Sequence, residues 1–132
     1  MTSTLTVRDE SATGTVLHQR TLDFLTEHVT VRELIIRRVQ EEVREYNRAA
    51  ERNVFVGLVQ PTDAEATLNG YRTRTRRELD WEKQRDAALA AFDANGFFVL
   101  VGDRQVESLD ERIRIELGTE VSFVKLVPLV GG

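Results

Sequence analysis

Cysteine is absent from the 132-residue chain, and with it disulfides, thiolate nucleophiles and thiolate metal sites. Long apolar runs are absent too. None approaches the roughly 20 residues that cross a bilayer, and the opening MTSTLTVRDE has neither a basic start nor an apolar signal core, so a cytoplasmic chain without membrane association is expected. Histidine is confined to His18 and His28, with no His-Glu-x-x-His or comparable spacing, so no metal site is expected. No phosphate-binding glycine loop occurs, and Gly57, Gly102 and Gly118 stand alone as turn or strand glycines. Neighbouring acids such as Asp9-Glu10 and Glu41-Glu42 read as solvated faces rather than acid/base pairs. An enzyme would have to be built from scattered residues that no motif marks, so no catalytic residue and no bound cofactor is expected. Lysine is nearly missing as well: of 18 basic residues only Lys83 and Lys125 are lysine.

What is present fits one water-soluble globular unit, with 41% apolar and 30% charged residues. The net charge of -4 argues against a nucleic-acid binder. The local exception is YRTRTRRELD, where Arg72, Arg74, Arg76 and Arg77 form either a solvated basic loop or, with Tyr71 and Trp81 nearby, a stacking surface for single strands. Trp81 reads equally as an anchor of a helix on the core.

Leu5 and Val7 alternate with polar residues, SATG at 11–14 supplies a turn, and TVLHQRTLDFL resumes extended sequence, which predicts a hairpin. Thr30 with Glu33 is a capping box, and Val31, Leu34, Ile35, Val39, Val43 and Tyr46 recur at helical spacing, opposite Arg37, Gln40, Glu41, Arg44 and Arg48. That stripe should lie on a sheet. NVFVGLVQP reads as a short strand stopped by Pro61, TDAEATL as a helical turn, and Asn69-Gly70 as a turn. RELDWEKQRDAALAAFDANG reads as a second helix stopped at Asn95-Gly96. FFVLV is a buried strand, Gly102-Asp103 a turn and RQV a short return. Ser108 with Glu111 suggests one more helical turn, and GTE at 118–120 leads into VSFVKLV.

The chain then runs into PLVGG. This order, with a last strand entering Gly-Gly, resembles the β-grasp fold of ubiquitin and of the bacterial sulfur carriers of the molybdopterin and thiamine pathways. FFVLVGDRQVESLDERI and GTEVSFVKLVPLVGG carry the closest likeness, with Pro128 where the molybdopterin carrier's tail has a proline. The resemblance covers 3–50 by element order and 96–132 by motif. Over its full length the chain is similar to the larger ubiquitin-like proteins of bacterial operons that encode activating, conjugating and deconjugating enzymes and are associated with antiviral defence. The resemblance implies an α+β, β-grasp mixed sheet packed on a helix, spanning 1–127 with an inserted helical region at 51–95, and a flexible tail at 128–132.

It also implies a protein modifier, a substrate of enzymes rather than an enzyme. A terminal carboxylate is a poor electrophile, so a partner activating enzyme would use ATP to adenylate Gly132, next to Gly131, before transfer to a protein target. A conjugating enzyme and a deconjugating protease would be further partners, with no nucleic acid. Glycine admits the backbone to a narrow channel, and Pro128 discourages the sheet from continuing. Residues 128–132 would reach about 17 Å when extended. Leu129 and Val130 suit a partner groove. Alternation turns Val121 and Phe123 inward and leaves Val124 and Leu126 on the other face, either as part of the activating-enzyme surface or covered by the inserted helix. Two alternatives stay open: a sulfur carrier ending in a thiocarboxylate, and an interaction domain whose glycines are inert.

Overall fold

Alternation decides the first two strands. β1 (Ser3–Ser11) buries Leu5, Val7 and Asp9 on one face, and β2 (Val16–Phe24) turns Arg20, Leu22 and Phe24 to the same side. They pair antiparallel, with Leu5 opposite Leu22 and Val7 opposite Arg20. Their turn closes through Ser11 and Thr15, and Gly14 takes a φ of 89°, a left-handed angle that costs glycine little. The computed structural model describes residues 3–48, 54–61, 64–67, 70–73 and 79–126.

After the short strand β3 (His28–Thr30), helix α1 (Val31–Arg48) begins where expected: Thr30 Oγ1 accepts the Glu33 N–H at 3.1 Å. All six apolar residues of its stripe are buried. The segment that follows differs from expectation. It carries α2 (Trp81–Asp93), but before it lie β4 (Val54–Phe55), β5 (Ala64–Thr67) and β6 (Gly70–Thr73), which form a three-stranded sheet in the order β4-β6-β5. The expected helical turn at 62–68 is instead strand β5 over 64–67. One isolated turn of helix gains little, whereas the ladder pairs Ala66 with Tyr71 and Thr67 with Gly70. Helix α2 starts later than read, with Asp80 accepting the Glu82 N–H at 3.0 Å, and stops at Asn95, whose φ is 61°.

The last third supplies β7 (Phe97–Val101), β8 (Arg104–Val106), β9 (Arg112–Arg114) and β10 (Glu120–Lys125). The five-stranded sheet runs β2-β1-β10-β7-β8. β10 lies at its centre, parallel to β1 and antiparallel to β7, so the last strand joins the first. Leu5, Val7, Leu22, Val99, Val121 and Phe123 form the sheet side of the core against the α1 stripe. The architecture is α+β, a mixed sheet with two helices.

Ser108 does not start a helix. Its side chain accepts from Asp110 N–H at 3.2 Å, and the Glu111 carboxylate pairs with Arg104 instead of reaching back. The reason lies on α1. Its first N–H groups need acceptors, and Val31 and Arg32 find them in the carbonyls of Glu111 at 2.9 Å and Leu109 at 3.0 Å. β9 then pairs with β3. No helix among the described residues is long and apolar enough to cross a membrane.

Candidate functional site

The end of β10 is where the expected tail begins. Pro128, Leu129, Val130, Gly131 and Gly132 lie outside the described residues, as do Arg74, Arg76 and Arg77. The strand itself follows the expected alternation: Val121 and Phe123 are fully buried, Val124 is half-buried on the opposite face, and Leu126 is 47% exposed. Helix α2 does not cover that outer face. It packs on α1 and β7 from the inner side, with the Phe92 ring 6.0 Å from that of inward-facing Phe97. Val124 sits opposite Phe98 in the ladder, and Leu100 follows two residues along β7 on the same face. Phe98, Leu100, Val124 and Leu126 thus make an apolar strip beside the exit of the chain, which Phe98 and Leu100 extend beyond the two residues expected.

The inner face at this end overturns the reading of Asp9 and Glu42 as solvated: both carboxylates are buried, because each is paired with an arginine that the sequence analysis did not single out. Arg38 of α1 is wholly buried and donates two hydrogen bonds to Asp9, one of them at 2.7 Å, and a third from Nε to Glu42 at 2.5 Å. Its guanidinium also lies 4.5 Å from the centre of the Phe123 ring. Three further side chains complete a clamp on the backbone of 56–59. Arg20 of β2 donates to the Val56 carbonyl at 3.3 Å, Lys125 of β10 to the Gly57 carbonyl at 2.5 Å, and Gln84 of α2 to the Val59 carbonyl at 3.4 Å. Glu42 accepts the Leu58 N–H at 3.2 Å. Four consecutive residues are therefore each held from a different element.

The physical reason is backbone satisfaction. A loop packed between helices and sheet must find partners for its polar groups or forfeit their hydration, and here charged side chains supply most of them. Phe55 is fully buried edge-on to Tyr46, ring centres 5.8 Å apart, and a Cβ at Gly57 would stand 2.1 Å from the Phe55 ring. Glycine at 57 is thus a space requirement.

Burial alone would push the Asp9 carboxyl up; the Arg38 charge and its hydrogen bonds, with Lys125 and Arg20 behind, outweigh it and hold Asp9 below the ordinary carboxylate range. For Glu42 burial wins over Arg38 and Arg20, and its pKa is raised. Burial lowers Lys125, against the pull of Asp9. It also lowers His18, half-buried opposite Asp9, with Arg20 adding to the effect. Asp9 is taken up by Arg38, Glu42 by Arg38 and Leu58, and Lys125 by Gly57, so these three groups hold one another and the backbone of the 56–59 loop.

Around the clamp, Lys125 Nζ lies 5.5 Å from the centre of the Tyr71 ring, and the Arg85 guanidinium lies 5.0 Å from that of half-buried Trp81, which packs on the core as an anchor. Arg72 is exposed on β6. The missed charges had a signal. Arg38 and Glu42 fall on the row Val31, Ile35, Arg38, Glu42, Tyr46 that the helical period buries, and Asp9 continues the alternation of Leu5 and Val7. Compared with protein-family models, with curated proteins and with solved structures, the chain gives no match in any of the three.

Proposed function

We propose that the chain is a β-grasp, ubiquitin-like protein modifier, activated by ATP-dependent adenylation of the Gly132 carboxylate and transferred to a protein target. The observation that carries this reading is the placement of β10. An opening hairpin, a helix across one face, and a final strand set at the sheet centre parallel to the first support the β-grasp assignment. That strand is fixed on both flanks and ends at Lys125, seven residues before Gly132. A modifier needs a rigid strand that aims the residues following it, and β10 is such a strand.

The strip of Phe98, Leu100, Val124 and Leu126 is the surface we assign to the activating enzyme. Apolar groups beside the exit let one partner hold the domain and accept its tail together. Residues 51–95 add elements that a pathway-specific partner could read. An exchange assay tests the reading: the protein, mixed with an ATP-dependent activating enzyme from its native host, should promote ATP–pyrophosphate exchange. Removing Gly131 and Gly132 should abolish the exchange. Leu126→Asp should weaken it without altering the circular dichroism spectrum. Exchange that persists undiminished in the truncated variant would refute activation at this carboxylate.

A further inference from the structure

The chain has two side-chain amines, Lys83 and Lys125, and the fold treats them in opposite ways. Lys125 points inward from β10, on the same face as Val121 and Phe123. Its Nζ donates to the Gly57 carbonyl at 2.5 Å and faces the Tyr71 ring, with the Asp9, Glu42, Arg38 and Arg20 charges grouped around it. Lys83 sits in the first turn of α2, exposed, on a face it shares with Asp86, Ala87 and Ala90. The buried residues of that helix, Gln84, Ala88 and Phe92, lie on another side.

We infer that Lys83 is the single side-chain acylation site of this chain and that the fold withholds Lys125. The donor it would take is an activated carboxyl. If the chain is the modifier proposed above, on which the identity of the donor rests, that carboxyl is the adenylated or thioester-linked Gly132 of a second copy. The Nζ lone pair attacks the carbonyl carbon, and a C–N bond forms. The bond from that carbon to the adenylate oxygen or the thioester sulfur breaks, AMP or the thiol departs, and the amine proton passes to solvent. An amide linking two copies would therefore run through Lys83 or through the α-amine of Met1. Protonation does not explain the difference between the lysines: a lowered pKa makes more of Lys125 a free amine, so its silence would come from the walls around it.

The test needs no enzyme. The intact protein is treated with the N-hydroxysuccinimide ester of acetic acid at mildly alkaline pH, and acetylation at each lysine is followed by peptide mass spectrometry, natively and in denaturant. Lys83 should react at the rate of a free lysine. Lys125 should lag by about tenfold or more in the native protein, since it waits on local opening, and catch up in denaturant. In the native Lys83→Arg variant no lysine should be acetylated in the time that labels wild-type Lys83, and uptake at Lys125 in that time would count against the inference, which decides the matter even if a Lys125 variant fails to fold. Native acetylation of Lys125 as fast as Lys83, or an unchanged acetyl count in Lys83→Arg, overturns the inference. Neither result bears on whether Gly132 is activated, so the two proposals fail separately.

Discussion

Arg38→Met removes the cation that serves both Asp9 and Glu42, and its cost can be worked from the structure. The methionine fills part of the same volume, so packing changes little. Two carboxyls are then left buried without their main counter-charge. Breaking a buried pair from one side costs about 3–5 kcal/mol, a large share of the roughly 5–15 kcal/mol that holds a domain together. The midpoint of thermal unfolding should drop by about 10–20 °C. The sign with pH is also determined. Asp9 is depressed in the wild type, so its contribution is present above the unfolded pKa and is lost as pH falls through the folded value. Glu42 is raised, so its contribution is present below the unfolded pKa and fades as pH rises through the folded one. In the variant, burial dominates at Asp9 as well, and acidification protonates both groups with relief. The deficit should therefore shrink as pH falls from neutral into the carboxylate range. Urea titration followed by Trp81 fluorescence, at neutral and at acidic pH, measures this. A loss under about 1 kcal/mol at neutral pH, well below the usual cost of a broken buried pair, or a deficit that does not shrink on acidification, would refute the reasoning.

Three further outcomes are expected. Combining Arg38→Met with Asp9→Leu and Glu42→Leu should recover most of the lost stability, but about 1–3 kcal/mol should stay missing because the Leu58 N–H loses its acceptor; full recovery in the same titration would mean that this bond contributes nothing. Gly57→Ala should cost about 1–3 kcal/mol by overpacking against the buried Phe55 ring, and an unchanged unfolding midpoint would contradict the space argument. Thr30→Ala should lose about 1 kcal/mol through the α1 cap, and calorimetry showing no change would mean that the carbonyls of Leu109 and Glu111 suffice to start the helix.

The elements legible in the sequence were those whose apolar residues keep one period. The α1 stripe from Val31 to Tyr46, the hairpin of β1 and β2, and the inward pair Val121 and Phe123 stand where the pattern puts them. Local signals misled where a distant partner decided the outcome. Ser108 and Glu111 have the letters of a capping box, but the carbonyls around them are engaged by α1, far away in the sequence. The 62–68 stretch has no strong period, and its ladder depends on a chain reversal that brings Ala64 to Thr73. The buried charges were visible as polar letters in apolar rows, yet their role depends on a loop that only the folded chain brings to them. At the end of β10, alternation puts Val124 on the outer face of the strand, and Phe98 and Leu100 joined it only once β7 was known to lie beside β10. The glycine tail is a signal of the sequence alone, and β10 is the strand that would present it.

The most direct test of the modifier account is the intact mass of the protein recovered from its native host, or co-expressed with its neighbouring genes, beside a variant lacking Gly131 and Gly132. The account predicts covalent adducts of protein size on the full chain and none on the variant. A gain corresponding to one oxygen replaced by sulfur would identify a sulfur carrier instead. A full chain that stays unmodified in the presence of ATP and an activating enzyme would contradict the central claim.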